Sequence, residues 1–474
     1  MDVTFDTIVN HAVSNMPKRV AGTAAQMSRM AVLVLLAVVV VAAGVLLAVP
    51  QWRSAVLPSA TVTQTAGPPP GYRAPATAGP PALPLAELDV APAPAAKALT
   101  GRMKKLAKAA AATPSAVVID AQTGQVLIDR GDRPYIPAST MKLLSSLAVV
   151  ETLGNDRTFA TTVLSPRDGV LILRGGGDPL LTDARSTGRA SLQQLASATA
   201  AELKRAGVTR VALGYDASLF TGAAWHRHWT DNYRYSVAPI NALMVDAGRT
   251  RTGKADENPA ATAAAKFAAR LAKAGITVTA TKPMKASADA RELAAVASPR
   301  VEQLIEHVLR YSDNTAIETL SRQAALAGGR GDFAGATGAV RTTLKRLGLW
   351  ASGMVIDDTS GLSRDNRVTP GVLAKAMRLM LTEDRFRSLI AGLPVGGVSG
   401  TLADRFDDAG ERAGRGVVRA KTGSLRDVTT LAGYLITADG SPLVFALMAN
   451  QVVRPFATRD WMDATTAAWA ACGC

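Results

Sequence analysis

The sequence predicts a mixed α/β body with largely antiparallel strands, set behind an apolar anchor and a proline-rich spacer. Three observations carry this. Strand patterns joined by turn residues stand near both ends of the body. Apolar residues at helical spacing lie between them. Strict strand–helix–strand alternation is absent, which argues against a doubly wound sheet.

At 474 residues the chain exceeds one typical domain, and 48% hydrophobic content suits a chain with a real core. Met30 to Val49 contain no charged or strongly polar residue. At about 1.5 Å per residue they span roughly 30 Å, a bilayer core. Lys18, Arg19 and Arg29 precede this run and Arg53 follows it, which favours the N-terminus inside and the body outside. A cleaved signal peptide is the rival reading, and it too exports the body. The expected order is a cytoplasmic tail over 1–29, a single membrane anchor over 30–49 and a linker over 50–98. The linker, with Pro68-Pro69-Pro70 and Ala91-Pro92-Ala93-Pro94, is too poor in core-forming residues to fold. As a polyproline spacer at about 3.1 Å per residue it extends on the order of 100 Å.

A helical pattern runs from Ala95 to Ala112. Ala116–Asp120 and Gln125–Asp129 flank Ala121-Gln122-Thr123-Gly124 and read as a hairpin. Leu143, Leu144, Leu147 and Val150 repeat at helical spacing. Gly169–Arg174 reads as a strand, Ala190–Ala206 as a helix and Val208–Tyr215 as a strand. Val301–Arg310 and Thr315–Leu326 read as helices. Gly416–Leu425, Thr430–Thr437 and Leu443–Asn450 read as strands, with a turn at Ala438-Asp439-Gly440, and a helix from Trp461 closes the chain.

The net charge of +15 suits anionic surroundings at a membrane or wall. With 5% aromatic residues and no basic block, nucleic acid is not an expected partner. The only cysteines, Cys472 and Cys474, leave the body without a disulfide framework or thiolate cage and read as a frayed terminus. His226 and His228 have the spacing of a metal pair, but no third ligand is evident in sequence, so no metal or cofactor is expected. His307 finds no Gly-x-Ser-x-Gly elbow to serve. Gly175-Gly176-Gly177 lacks the Lys-Ser/Thr ending of a phosphate loop.

Three short motifs carry chemistry. In Ser139-Thr140-Met141-Lys142, after Pro137, residues three apart share a helical face, so Lys142 reaches Ser139. A serine hydroxyl needs a base, and an amine serves only when neutral. From about 10.4, half-neutrality at pH 7 requires a drop of about three pH units, on the order of 4–5 kcal/mol. In Ser312-Asp313-Asn314 a hydroxyl and an amide two residues apart project from a turn; alone, such a turn commonly caps the next helix. In Lys421-Thr422-Gly423-Ser424 a strand glycine marks close approach of a backbone, while Lys421 and Thr422 suit a carboxylate.

Each motif is weak alone. In this order they resemble the signature of penicillin-binding proteins and serine β-lactamases. Leu173–Pro179, Asp357–Pro370 and Leu393–Leu402 further resemble marks of the class C low-molecular-mass penicillin-binding proteins, the D-alanyl-D-alanine carboxypeptidase/endopeptidases. The resemblance covers about residues 100–470. It implies a penicillin-binding/β-lactamase-like domain, with an antiparallel sheet, flanking helices and a helical subdomain, over 99–158 and 295–474, and a smaller domain inserted over 159–294. It implies Ser139 as acylated nucleophile, Lys142 as base and Ser312 as proton relay. Asn314 would hold the substrate amide, and Lys421 with Thr422 the terminal carboxylate. The backbone N–H groups of Ser139 and Ser424 would form the oxyanion hole. Trp229–Ser236 resembles a stretch lining a pocket for the third stem-peptide side chain. There Asp231 would meet an ammonium and Arg364 a carboxylate, with Tyr235 and Arg426 completing the wall. The implied partners are peptidoglycan stem peptides, β-lactam antibiotics and, through the N-terminal helix, the membrane. A β-lactamase and a non-enzymatic wall-binding protein are the rival readings.

Overall fold

The structure is a computed structural model that describes residues 91–103 and 111–474. The expected tail, anchor and linker, up to residue 90, lie outside the described residues. Among the described residues no helix is long and apolar enough to cross a membrane.

Helix α1 (Ala96–Arg102) is followed by β1 (Ala111–Asp120), β2 (Val126–Arg130) and α2 (Met141–Leu153). Next come β3 (Ala160–Arg167), β4 (Val170–Arg174), α3 (Leu192–Arg205), β5 (Arg210–Asp216), α4 (Pro259–Lys273), β6 (Thr277–Pro283) and β7 (Arg291–Ala297). Then α5 (Val301–Tyr311), α6 (Asn314–Ala325), α7 (Phe333–Arg346) and α8 (Pro370–Thr382) lead to β8 (Arg419–Leu425), β9 (Val428–Ile436), β10 (Pro442–Val452) and α9 (Pro455–Ala470).

Two five-stranded sheets result. The first has the order β2-β1-β10-β9-β8 and is antiparallel throughout. Its middle strands are buried on both faces. Val117 and Ile119 of β1 and Val444, Ala446 and Met448 of β10 join the core beneath α2, α5, α6 and α8. Their neighbours Val118, Leu443, Phe445 and Leu447 join the opposite core, beneath α1 and α9. The two-residue period of a strand sends alternate side chains to opposite faces. With both faces covered, these strands read as continuous apolar runs, as β10 does in sequence.

The second sheet, β6-β5-β4-β3-β7, lies within the stretch 160–297, where an insertion was expected, and has its own core under α3 and α4. Here β4 and β5, and β5 and β6, run parallel through α3 and α4. The sequence reading thus underrated strand–helix–strand units within this segment. Strand β7 pairs with β3 as far as Ala297, so the sheet runs past the expected boundary at 294.

Other differences are local. The helical pattern from Ala95 shrinks to seven residues, and β1 already begins at Ala111. The last helix starts at Pro455, with proline in its first turn, rather than at Trp461. The terminus is not frayed: Cys472 is fully buried against the second core. Arg405 and Asp463 form a buried ion pair that ties α9 to the preceding loops.

Candidate active site

The first sheet fixes the turn that carries Ser139. Asn450 of β10 clasps Ile136: its Oδ1 accepts the Ile136 N–H at 2.8 Å and its Nδ2 donates to the Ile136 carbonyl at 3.2 Å. Thr430 of β9 donates to the Pro137 carbonyl at 2.8 Å. Ala138 then takes a left-handed φ of 47°, unfavourable for a residue with a Cβ and held by this surrounding structure. Ser139 sits in a short 3₁₀ turn (Ala138–Thr140) that runs into α2. Two glycines let other backbones press against this turn. A Cβ on Gly361, at φ 85°, would lie 1.9 Å from the Ala138 carbonyl oxygen; one on Gly423 would lie 3.0 Å from the Ser139 nitrogen.

One turn into the helix, Lys142 is fully buried. Its ammonium donates to Ser139 Oγ at 3.0 Å, Asn314 Oδ1 at 2.5 Å and the Ser360 carbonyl at 2.7 Å. All three donors of a lysine are thereby engaged, each by a neutral acceptor. Burial lowers its pKa from 10.5 to about 8, against the opposing charges of Asp358, Glu318 and Asp313. A tenth or so of the amine is then neutral at pH 7, which is what a general base requires.

The Ser360 carbonyl is itself held by a buried polar network. Glu318 of α6 accepts from the N–H groups of Thr359 and Ser360, at 3.0 and 2.7 Å, and from the Thr359 hydroxyl at 2.8 Å. Asp358 accepts from the N–H groups of Gly361 and Ser363, from Asn366 Nδ2 and from the Trp229 indole. Burial, with the Asp358 charge beside it, raises the Glu318 pKa to about 7.

Helix α5 ends at Ser312, which takes the left-handed conformation at φ 58°. Asp313 caps α6 through the Ala316 N–H and pairs with His307 at 3.1 Å. Burial works against its ionisation, but the His307 and Ala316 hydrogen bonds prevail and hold its pKa below the usual range. This brings Ser312 Oγ within 2.9 Å of Lys421 Nζ, while Asn314 donates to the Ser236 carbonyl of the insertion at 2.9 Å. Lys421 is fully buried on β8, and its other bond goes to the Thr422 carbonyl at 2.8 Å. Burial, then the Lys142 charge, hold its pKa well below 10.5. The Thr422 hydroxyl meets Thr401 at 2.7 Å, and Ser424 is exposed.

The expected side-chain pocket is assembled differently. Asp231 is exposed and pairs with Arg234 at 3.1 Å; Tyr235 is 68% exposed. Arg364 pairs with Asp427 at 2.8 Å. Tyr233 is half-buried against the apolar cluster of Trp229, Val237, Ile240 and Leu362. Burial raises its pKa while the Arg364 and Arg426 charges lower it, so both guanidinium groups lie within electrostatic reach of its hydroxyl.

The profile of the D-Ala-D-Ala carboxypeptidase 3 (S13) family matches residues 100–256 and 250–471. The chain belongs to this family. It is 36% identical over 374 residues to a carboxypeptidase of Mycobacterium tuberculosis, covering 75% of this chain and 80% of that one. It is 35% identical over 422 residues to carboxypeptidase DacB of Mycolicibacterium smegmatis, covering 84% and 89%. The fold matches penicillin-binding protein 4 of Haemophilus influenzae, with a TM-score of 0.65 at 22% identity over 77% of this chain and 98% of that one.

Within this S13 fold, sequence reasoning missed Glu318, Thr401, Tyr233 and Asn450. Glu318, Thr401 and Asn450 hold backbone or face a motif residue from a distant element, and Tyr233 lies within electrostatic reach of Arg364 and Arg426. Only Glu318 had a local signal, a carboxylate in the otherwise buried stretch Thr315–Ala325 that needs a partner.

Proposed function

We propose that this chain is a serine D-Ala-D-Ala carboxypeptidase that trims peptidoglycan stem peptides and is acylated by penicillins. The observation that carries the reading is the buried Lys142 amine, 3.0 Å from Ser139 Oγ, with its pKa lowered to about 8. Lys142 takes the Ser139 proton as Oγ attacks the carbonyl of the penultimate D-alanine. The oxyanion lies between the backbone N–H groups of Ser139 and Ser424. The close approach of β8 at Gly423 to the Ser139 nitrogen supports that placement. Ser312, bonded to Lys421, passes a proton to the leaving amine. Lys421 and Thr422 hold the terminal carboxylate, and Asn314 the peptide amide. Water then releases the shortened peptide and restores Ser139. Tyr233, Arg364 and Arg426 form the wall facing the third stem residue, with Asp231 and Tyr235 at its exposed rim. The body works outside the cytoplasm, where stem peptides lie, tethered through residues 30–49 and the linker.

A fluorescent penicillin should label the folded chain covalently at one site, and Ser139→Ala should abolish labelling. Defined stem peptides should lose one terminal D-alanine, read by mass. Equal behaviour of wild type and Ser139→Ala would sink the reading. Cleavage between cross-linked stems in the same assay would place endopeptidase activity at the same serine.

A further inference from the structure

The fold supplies the third metal ligand that the sequence does not show beside His226 and His228. Asp357, more than a hundred residues away, places Oδ2 2.8 Å from His228 Nδ1 and 3.8 Å from His226 Nε2. Asp365 adds Oδ2 at 3.0 Å from His228 Nδ1. The ligand atoms of His226, His228 and Asp357 all lie within 4.8 Å of one another. We propose that His226, His228 and Asp357, with Asp365 as a fourth ligand, form a transition-metal site of the zinc class.

The donor set fits. Two imidazoles and one or two carboxylates are zinc chemistry, with arms of about 2.0–2.2 Å and hence ligand atoms roughly 3.3 Å apart in a tetrahedron. Closing from 4.8 Å calls for a contraction of about one to two ångströms. Asp365 and His228 are exposed enough to supply it. His226 is the fixed member: it is buried, with its ring edge-on to Phe333 and tilted against Trp229. Asp357 is oriented by the Ser363 hydroxyl and held at its backbone by Asn366.

Loading the site has a cost the structure makes explicit. His226 Nδ1 accepts the His228 N–H at 3.2 Å, and His228 Nε2 accepts from Arg227 at 3.2 Å. Neutral rings in this arrangement carry their protons on the atoms that face Asp357. A metal takes those positions, so each proton moves to the other ring nitrogen and both bonds are given up. Arg227 is mostly exposed but also pairs with Asp357 at 3.9 Å, a contact that loading displaces as well. The metal would fasten the insertion, at 226–228, to the loop 357–366 that presents the Ser360 carbonyl to Lys142. Its role is to brace that loop, and no catalytic step runs through it.

The test uses the whole chain without a polyhistidine tag, stripped with chelator and titrated with Zn²⁺ by calorimetry and with Co²⁺ by absorption. One Zn²⁺ per chain and the visible spectrum of four-coordinate Co²⁺ are expected. A melting-temperature rise of about 3 °C should follow at Zn²⁺ roughly a hundredfold above Kd. His228→Gln and Asp365→Asn, at partly exposed positions, keep the fold where His226→Ala risks losing it. His228→Gln should weaken binding at least about tenfold to a hundredfold, the range that losing even an outer partner of a ligand produces. No saturable binding, or binding indifferent to both variants in folded protein, overturns the site. Penicillin labelling of metal-free protein should persist, so loss of this site leaves the acyl-enzyme reading intact.

Discussion

The pH dependence of acylation tests the placement of Lys142 most directly. Lowering an ammonium from 10.5 to about 8 is worth on the order of 3 kcal/mol, the cost of keeping it charged in this buried position. With Lys142 as the proposed base, the neutral amine is the active form, so second-order acylation by a penicillin should rise about tenfold per pH unit and level off near pH 8. Glu318 tunes that limb. It has no contact with the ammonium but holds the Ser360 backbone that does, and its charge favours the protonated lysine. Taking a separation of about 6 Å and an effective dielectric of about 20, a unit charge is worth roughly 3 kcal/mol, or about two pH units. Glu318 is itself only partly ionised near its pKa of about 7, which trims the expected effect to about one unit. Glu318→Gln keeps an oxygen for the Thr359 and Ser360 N–H groups, and the Thr359 hydroxyl can turn to accept from the new amide. The variant should fold and shift the limb toward lower pH by about one unit, raising acylation at pH 6.5 several-fold. Rates measured by rapid quench between pH 5.5 and 9.5 decide it. A flat wild-type profile, or superimposable limbs in two folded proteins, would refute the assignment of Lys142 as base.

Two further outcomes follow from burial and close packing. Gly361→Ala forces a methyl group into the Ala138 carbonyl at a positive φ, so the nucleophile turn must shift. Acylation should fall by two or more orders of magnitude, since misplacement by about an ångström costs about 10²-fold, while a melt shows the chain still folded. Asp178 is buried with its pKa raised to about 7; one oxygen accepts the Leu180 N–H, and the other has no partner. Its folded pKa lies above the unfolded value. Its contribution to stability is therefore full below about pH 4 and is lost as pH rises to about 7, on the order of 4 kcal/mol at most. Asp178→Asn should remove this slope: the wild-type-minus-variant difference in urea stability should fall across that window, and a constant difference would contradict it.

How much was legible follows from where each signal sits along the chain. Lys142 could be placed against Ser139 from spacing alone because a helix turns a separation of three into adjacency. The antiparallel end of the first sheet was readable because its strands are consecutive and joined by short turns. Strands β3, β6 and β7 were missed: Thr277–Thr281 of β6 does alternate polar and apolar residues, but its apolar residues are few and small, β6 is almost wholly exposed and β7 is partly exposed along its length. Helices α4, α7 and α8 lie in stretches left without an assignment, although Asn258, Asp332 and Thr369 cap them. Tyr235 was named from the resemblance of Trp229–Ser236 alone; Tyr233 lies in the same short 3₁₀ turn, where two residues move a side chain most of the way around the axis. No local pattern in sequence could separate them. The grip of Asn450 on Ile136 spans most of the catalytic body and leaves no trace at either end.

The two buried lysines explain why the site waits for its substrate. Lys142 and Lys421 are both fully buried, and the charge of each disfavours the charge of the other. Lys421 has only neutral partners, Ser312 Oγ and the Thr422 carbonyl. Nothing described around it supplies the counterion that a buried ammonium demands, and its pKa is held well below 10.5 accordingly. On the proposed reading, a terminal carboxylate arriving at Thr422 supplies that charge and favours the protonated form. Binding of a D-Ala-D-Ala peptide in alkaline buffer should therefore be accompanied by net proton uptake. Calorimetry on Ser139→Ala in buffers of different ionisation enthalpy measures it without turnover. The same peptide capped as an amide should bind weakly and take up none. Equal proton uptake for both peptides, or none for either, would mean that Lys421 does not receive the carboxylate.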